Sequence, residues 1–260
     1  MKGAIGVFDS GVGGLSVLSH IHQLLPSESL IYVADSAHMP YGCKPAEAVR
    51  KRCLTIAGFL SGQGAKAVVV ACNTATAVAV HALRERLDVP VIGMEPPVKP
   101  AVSHSRSGVV GILATSGTVS SEKFNMLKER FAGNARLLVQ PCPGLVECVE
   151  TGDLVGFDTR SLLTRYLQPL IEQGVDTLVL GCTHYPFLIP LISEIVGDGI
   201  KIIDTGDAFA RELKRQLELR NSLAGEDGSG RIQFWSSGKS CDGLVSRLWG
   251  QKTHVEHLDI

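Results

Sequence analysis

Two cysteines of this chain occupy matching positions in two similar stretches of sequence. Cys72 follows residues 68–71, Val-Val-Val-Ala, and Cys182 follows residues 178–181, Leu-Val-Leu-Gly. An apolar run of this length predicts a strand buried on both faces of a parallel sheet. Each cysteine would then lie at the carboxyl end of a strand, where open α/β sheets bind ligands and where the N–H groups of the next helix favour a thiolate. The sequence therefore predicts one site with a reactive thiol on each side.

Other side chains suited to proton transfer lie near these cysteines or after other predicted elements. His184 is two residues from Cys182 and could lower the pKa of that thiol or donate a proton, although a plain polar role at a helix start remains an alternative. Asp9 follows the first predicted strand, where a carboxylate suits an ammonium group or orients an acid. Glu147 lies in a loop marked by Pro and Gly and is either solvated or functional.

Composition narrows the class of protein. The chain has 260 residues, of which 45% are hydrophobic and 20% are charged, as in a soluble protein of one large or two small domains. A formal net charge of −1 predicts neither non-specific nucleic-acid binding nor attraction to an anionic membrane, and no apolar segment approaches the ~20 residues of a membrane span. The seven cysteines include no C-x-x-C pair, which argues against a disulfide scaffold or a structural zinc site. With no signal-peptide pattern at the start, a cytoplasmic protein is expected.

The predicted elements that position these residues form two similar rounds. Residues 4–93 alternate as βαβαβαβ, which is typical of a parallel, doubly wound sheet. Residues 94–100 contain three prolines and are interpreted as a linker, and a second round follows over residues 108–204. Residues 5–10, Ile-Gly-Val-Phe-Asp-Ser, align with residues 110–115, Val-Gly-Ile-Leu-Ala-Thr. This self-similarity predicts two halves related by a pseudo-two-fold axis.

The expected fold class is α/β, with two pseudo-symmetric, doubly wound parallel-sheet domains that face each other across a cleft. The tail, residues 207–260, is predicted to pack back onto the first half, and residues 225–230 are predicted to form an exposed loop. The first domain would therefore comprise residues 1–93 together with this tail, and the second would comprise residues 94–206.

The glycine-rich turn after the first strand allows a different interpretation. Residues 11–14, Gly-Val-Gly-Gly, followed by a helix and a second strand that ends at Asp35, look like a dinucleotide-binding fingerprint. The third glycine of that fingerprint would fall at Ser16, however, and Asp9 stands where a pyrophosphate needs room and positive surroundings. Nucleotide binding is therefore disfavoured.

Four separate motifs resemble the glutamate racemase family, block by block and in order. They are residues 8–14 (Phe-Asp-Ser-Gly-Val-Gly-Gly), residues 35–36 (Asp-Ser) with residues 40–42 (Pro-Tyr-Gly), residues 71–75 (Ala-Cys-Asn-Thr-Ala) and residues 180–186 (Leu-Gly-Cys-Thr-His-Tyr-Pro). The blocks span residues 4–186, whereas the tail resembles the family only in length and alternation. The resemblance implies an isomerase that interconverts L- and D-glutamate without a cofactor or metal and supplies D-glutamate for peptidoglycan synthesis.

The resemblance also implies roles for particular residues. Cys72 would remove the α-proton from D-glutamate and Cys182 from L-glutamate, each reprotonating the opposite face for the other. Asp9 and His184 would assist the two thiols and contact the substrate, with Glu147 as a less securely aligned helper. The other residues that would hold the substrate are Ser10, Tyr41, Gly42, Asn73, Thr74, Thr115, Thr118 and Thr183.

One departure from the family pattern and two other functions stay open. The linker differs from the Gly-Val-Ile-Glu-Pro common in the family and looks one residue shorter, and some members with altered hinges depend on UDP-N-acetylmuramoyl-L-alanine as an activator. The sequence fixes neither activator dependence nor whether the chain forms a homodimer. A related two-cysteine racemase acting on aspartate is the nearest alternative enzyme. A two-lobed amino-acid binding protein is the non-enzyme alternative.

Overall fold

The computed structural model describes residues 3–131, 133, 135–225, 230–239 and 241–260. Most of the loop expected at residues 225–230 lies outside the described residues. The strands within these ranges are β1 (Ile5–Asp9), β2 (Leu30–Ala34), β3 (Ala67–Val70), β4 (Val91–Gly93), β5 (Val109–Ala114), β6 (Arg136–Pro141), β7 (Thr177–Leu180), β8 (Lys201–Ile203), β9 (Ile232–Ser236) and β10 (Val255–His257).

The strands form two parallel sheets with the same internal order. The larger sheet runs β10-β9-β2-β1-β3-β4, and the smaller sheet runs β6-β5-β7-β8. Strand β5 lies between β6 and β7 as β1 lies between β2 and β3, so the two halves repeat one topology. The predicted α/β class and the internal repeat are confirmed. Strand β9 pairs with β2, so the prediction that the tail packs back onto the first half is also confirmed.

Helices cover both faces of each sheet. They are α1 (Leu15–Leu24), α2 (Ala46–Gly62), α3 (Asn73–Arg86), α4 (Val98–His104), α5 (Ser116–Val119), α6 (Glu122–Phe131), α7 (Leu145–Glu150), α8 (Phe157–Glu172), α9 (Ile189–Val196), α10 (Gly206–Glu218) and α11 (Asp242–Trp249). Side chains of α2 and α3 pack on one face of the larger sheet, and those of α1 and α10 pack on the other. The apolar side chains around α1 and α10 are continuous with those of α7, α8 and α9 in the other half. This shared apolar core joins the two lobes. No helix in the described ranges is long and apolar enough to cross a membrane.

One predicted connection is partly helical. The expected linker over residues 94–100 is shorter, because α4 begins at Val98. Pro100 is tolerated there because the first four N–H groups of a helix have no partner within it. After β5 the chain enters the short helix α5, with Thr115 accepting a hydrogen bond from the Thr118 amide at its start. The domain boundaries themselves stay predictions.

Asp176 connects the segment before β5 to the start of β7. Its carboxylate accepts hydrogen bonds from Ser105 Oγ and from the amides of Arg106 and Ser107, each at 2.6 Å. Partial burial acts to raise the pKa of Asp176, but these bonds outweigh it and hold the pKa below its usual value. The Asp176 carboxylate therefore stabilises the fold fully at pH values above the pKa that Asp176 has in the unfolded chain. This contribution is lost as the pH falls through the lower pKa that Asp176 has in the folded protein.

We expect Asp176→Ala to lower the free energy of unfolding by about 1–2 kcal/mol at neutral pH. This value is low for hydrogen bonds to a charged group because water reaches the site and weakens them. The difference in the free energy of unfolding between the variant and the unmodified protein should shrink below about pH 4. Denaturant unfolding at several pH values measures it, and the exposed Asp198→Ala serves as the control. Equal stability of the two variants at neutral pH would contradict this role.

Candidate active site

The two repeated cysteines face one cavity. Cys72 stands at the start of α3, just beyond β3, and Cys182 holds the equivalent place beyond β7. Their side chains are 6% and 8% exposed. Both line the same narrow cavity between the carboxyl ends of the two sheets, in which about 20 Å³ is free to a water molecule. That volume holds about one water molecule, so a larger ligand needs the cavity walls to move apart.

The cavity brings together nearly all of the predicted substrate-binding residues. Its walls are formed by Ser10, Pro40, Tyr41, Gly42, Cys72, Asn73, Thr74, Thr115, Thr118, Val146, Gly181, Cys182, Thr183 and His184. Of the predicted residues, Asp9 lies just behind this wall, and Glu147 is exposed on α7. Val146 was not singled out in the sequence because an apolar residue on a short helix carries no functional signal.

Asp9 links the two lobes behind Cys72. Its carboxylate accepts hydrogen bonds from the Ser10 amide at 2.7 Å and from Thr183 Oγ1, on the other lobe, at 2.9 Å. Burial raises the pKa of Asp9, although the nearby His184 and these hydrogen bonds oppose the rise. A buried carboxyl with a raised pKa, held beside a thiol, can orient that thiol and exchange a proton with it.

Cys72 is not a pre-formed thiolate. Burial raises the pKa of this thiol, the Asp9 carboxylate raises it further, and the Ala75 amide at the start of α3 lowers it only in part. The helix start does favour the thiolate, as expected, but the cost of burying a charge exceeds the effect of the helix N–H groups. Cys72 is held in the protonated form, which is the form that can donate a proton.

His184 and Glu150 form a relay behind Cys182. His184 Nδ1 is 3.7 Å from Cys182 Sγ, and its Nε2 is 2.7 Å from Glu150 Oε1. Burial acts to lower the pKa of His184, but the contacts with Cys182 and Glu150 outweigh it and raise the pKa above its usual value. A protonated imidazole beside a thiol is a common way to activate cysteine chemistry.

The carboxylate partner of His184 is Glu150 and not Glu147. Glu147 is exposed, whereas the Glu150 side chain is 8% exposed and bonds directly to the imidazole. Both lie on α7, only three residues apart, so the sequence offered no signal to separate them. The role implied for Glu147 stays a prediction that has no contact with the cavity to support it.

The glycine-rich turn fits against this relay. A Cβ atom on Gly11 would lie 2.7 Å from Glu150 Cδ and closer still to Oε1, and one on Gly13 would lie 2.7 Å from His184 Cγ. The Val12 amide donates a hydrogen bond to Glu150 Oε1 at 2.7 Å. The glycines therefore allow the backbone of one lobe to approach side chains of the other. A carboxylate fills the space that a dinucleotide pyrophosphate would need.

Polar groups at the cavity walls match the groups of an amino acid. The hydroxyls of Thr74, Thr115 and Thr118 lie 3.0–3.3 Å from one another and can donate to a carboxylate. Asn73 Nδ2 donates to Gly181 O at 2.9 Å, and its buried Oδ1 has no partner in the described part of the chain. An ammonium group can satisfy this acceptor. No cluster of three or more His, Cys, Asp or Glu that could hold a metal occurs among the described residues.

We expect Glu150→Gln to reduce kcat/KM by about 10- to 100-fold, less than the ~10²–10⁴-fold contributed by a group that itself transfers the proton, because Glu150 acts through His184. Glu150 raises the pKa of His184, so its removal should also move the alkaline fall in activity to lower pH. Steady-state kinetics across pH measure both effects, and Glu147→Gln in the same assay distinguishes the two carboxylates. A larger loss for Glu147→Gln would refute this assignment.

Two facing lobes, a thiol on each side of a small polar cavity and an acid or imidazole behind each thiol define a class of isomerase that exchanges a proton on carbon. Residues 5–213 match the family described as Asp/Glu/Hydantoin racemase. The chain is 56% identical over 260 residues to a glutamate racemase of Pseudomonas putida (strain W619), covering 98% of this chain and 97% of that protein. It is 58% identical over 254 residues to that of Ectopseudomonas mendocina (strain ymp), covering 96% of each.

Solved structures agree with these sequence matches. A glutamate racemase from Bacillus anthracis superposes with a TM-score of 0.89 at 34% identity, over 99% of this chain and 97% of that chain. Escherichia coli glutamate racemase, in complex with L-glutamate and the activator UDP-MurNAc-Ala, gives 0.88 at 33% identity, over 99% and 98%. The chain belongs to the Asp/Glu/Hydantoin racemase family and, within it, to the glutamate racemases, as the sequence motifs indicated.

Proposed function

We propose that this protein interconverts L- and D-glutamate by proton transfer between Cys72 and Cys182. The observation that carries the proposal is that both thiols line one small cavity from facing lobes. In one direction, the Cys182 thiolate takes the α-proton of L-glutamate as the Cα–H bond breaks. The Cys72 thiol then donates its own proton to the opposite face, giving D-glutamate, and the reverse direction exchanges the two roles.

The neighbours of each thiol supply what this chemistry needs. The raised pKa of Cys72 keeps it protonated and ready to donate, with Asp9 beside it. His184 and Glu150 serve the Cys182 side. An amino-acid α-proton is a weak acid, so the developing negative charge must be stabilised by fixed donors in a cavity that excludes competing water.

The same cavity supports particular contacts with the substrate. The cluster of threonine hydroxyls can hold a carboxylate, and Asn73 Oδ1 can accept from the ammonium group. The remaining predicted contacts, at Ser10, Tyr41, Gly42 and Thr183, lie on the cavity wall. The relatives at 56% and 58% identity are named glutamate racemases, which favours glutamate over aspartate. The aspartate racemase of Picrophilus torridus is only 20% identical and shares the fold alone.

Three further features belong to this proposal. The domains would comprise residues 1–93 with 207–260 and residues 94–206, which the pairing of β9 with β2 supports. The enzyme would act in the cytoplasm, where D-glutamate is needed for peptidoglycan precursors. UDP-N-acetylmuramoyl-L-alanine belongs in the assay because the similar Escherichia coli structure carries it as an activator.

Circular dichroism of L- and D-glutamate incubated with the purified protein in D₂O tests the function. We expect optical activity to be lost without an added cofactor and deuterium to enter the α-position, as NMR would detect. Binding without exchange would support an amino-acid binding protein instead. If neither enantiomer changes, even with UDP-N-acetylmuramoyl-L-alanine present, glutamate is rejected and aspartate is tested by the same method.

A further inference from the structure

A buried carboxylate just outside the cavity collects an unusual number of hydrogen bonds. Asp35, directly after β2, is fully buried. Arg52 donates to both of its oxygens, at 3.0 and 2.8 Å, and Ser237 Oγ donates at 2.7 Å. Tyr41 Oη donates to Asp35 Oδ2 at 2.6 Å. Burial acts to raise the pKa of Asp35, but these bonds outweigh it and hold the pKa below its usual value, so the group is a carboxylate.

Tyr41 connects this carboxylate to the wall of the cavity. It begins a single 3₁₀ turn, Tyr41–Cys43, and both Tyr41 and Gly42 line the cavity. The Tyr41 side chain is 1% exposed, and its hydroxyl bonds to Asp35. Asp35 itself does not line the cavity. Asp35 can therefore act on a bound molecule through Tyr41.

The turn that Tyr41 begins is also a contact between the two lobes. A Cβ atom on Gly117, in α5 of the second lobe, would lie 2.6 Å from the Gly42 carbonyl oxygen. A Cβ atom on Gly42 would lie 3.0 Å from Thr115 Cβ. Backbone meets backbone here with no space for a larger residue. A small rotation of the turn would either separate the lobes at this wall or collide with α5.

We propose that Asp35 is a positioning residue, which fixes Tyr41 so that the Tyr41–Cys43 turn closes the cavity against α5. A turn of three residues has too few internal hydrogen bonds to hold its own orientation. A short bond to a buried carboxylate that is itself held by Arg52 supplies a rigid anchor. The effect on substrate binding rests on the proposed racemase function, whereas the effect on the turn does not.

A double-mutant cycle tests the bond. We expect Asp35→Asn and Tyr41→Phe each to raise the KM for glutamate by about tenfold or more, the loss typical of one charge-assisted hydrogen bond, with a smaller change in kcat. Because both substitutions break the same bond, the double variant should be no worse than Asp35→Asn alone. Additive effects on KM would overturn the proposal.

Glu28→Gln provides a matched control for stability. Glu28 lies just before β2, at the opposite end of the strand that Asp35 follows. It is 2% exposed and pairs with Lys66 at 2.6 Å, so its loss also breaks a buried ion pair in the same lobe. We expect Glu28→Gln to lower the melting temperature without raising KM. A rise in KM equal to that of Asp35→Asn would mean that Asp35 acts only through stability and would overturn the proposal.

Amide hydrogen exchange separates this proposal from the proposed function. The amides of residues 41–44 should exchange faster in Asp35→Asn and Tyr41→Phe than in the unmodified protein or in Glu28→Gln. This readout needs no substrate. Unchanged exchange in Asp35→Asn would overturn the anchor even if the protein racemises glutamate. Faster exchange in a protein that does not racemise glutamate would retain the anchor and reject the function.

Discussion

Cys72→Ala and Cys182→Ala should each reduce racemisation of glutamate by about 10³- to 10⁴-fold. A positioned acid or base contributes up to this much, and no other described thiol lines the cavity to replace either one. Both variants should fold, because each substitution removes only one sulfur at the wall of a cavity that already exists. Polarimetric or coupled assays of both enantiomers measure the loss, and near-normal turnover in either variant would contradict the two-base mechanism.

The two cysteine variants should also differ from each other in a way that identifies the faces. A protein that keeps only Cys182 can still remove and return the α-proton of L-glutamate, so Cys72→Ala should exchange that proton with D₂O without inversion. Cys182→Ala should do the same for D-glutamate alone. NMR of each enantiomer in D₂O distinguishes them, and exchange of the wrong enantiomer would reverse the assignment.

Cys142→Ala is the matched control for these variants. Cys142 is also a buried thiol of the second lobe, 1% exposed, but its Sγ donates to the Gln140 carbonyl at 3.2 Å and it does not line the cavity. The variant should keep normal racemisation and normal exchange with solvent. A loss comparable to that of Cys182→Ala would show that removal of any buried thiol in this lobe disturbs the site.

Gly13→Ala should cost about 100-fold or more in kcat/KM. The added methyl group would overlap the His184 ring, lying 2.7 Å from Cγ and nearer to Nδ1, which faces Cys182. Either the imidazole leaves Cys182 or the lobes move apart, and a displacement of about 1 Å in a catalytic group can cost this much. Gly13 has no positive φ, so the backbone itself accepts alanine and the effect is one of contact.

Gly58→Ala separates this contact from a general effect of replacing glycine. Gly58 lies within α2, and an added Cβ atom would meet nothing within 4 Å. Its replacement should leave kcat/KM unchanged and stabilise the helix by up to about 1 kcal/mol. Kinetics and thermal unfolding of the two variants provide the comparison. Full activity in Gly13→Ala would show that the glycine turn does not pack on His184 during catalysis.

The sequence by itself determined the layout of the two lobes. The runs before Cys72 and Cys182 are apolar without alternation, as central strands of a covered parallel sheet must be, and they are the buried strands β3 and β7. Within each sheet the carboxyl ends of the parallel strands share one edge, so the polar residues after β1 and β3 had to lie together, as had those after β5 and β7. The two cysteines could be predicted at one site from this pattern, whereas Ser10, Asn73, Thr115 and Thr183 were expected at the cavity from the family resemblance.

Only the tertiary structure decided which more distant groups meet. Glu150 reaches His184 across 34 residues of sequence, and the packing of α7 selects it over Glu147. Residues 11–14 resemble a phosphate-binding turn in sequence, but in the structure they pack against the side chains of His184 and Glu150. The pKa of Cys72 is raised because the whole fold buries it beside Asp9. Burial and cross-lobe contact depend on elements far apart in the chain, and no local pattern of residues encodes them.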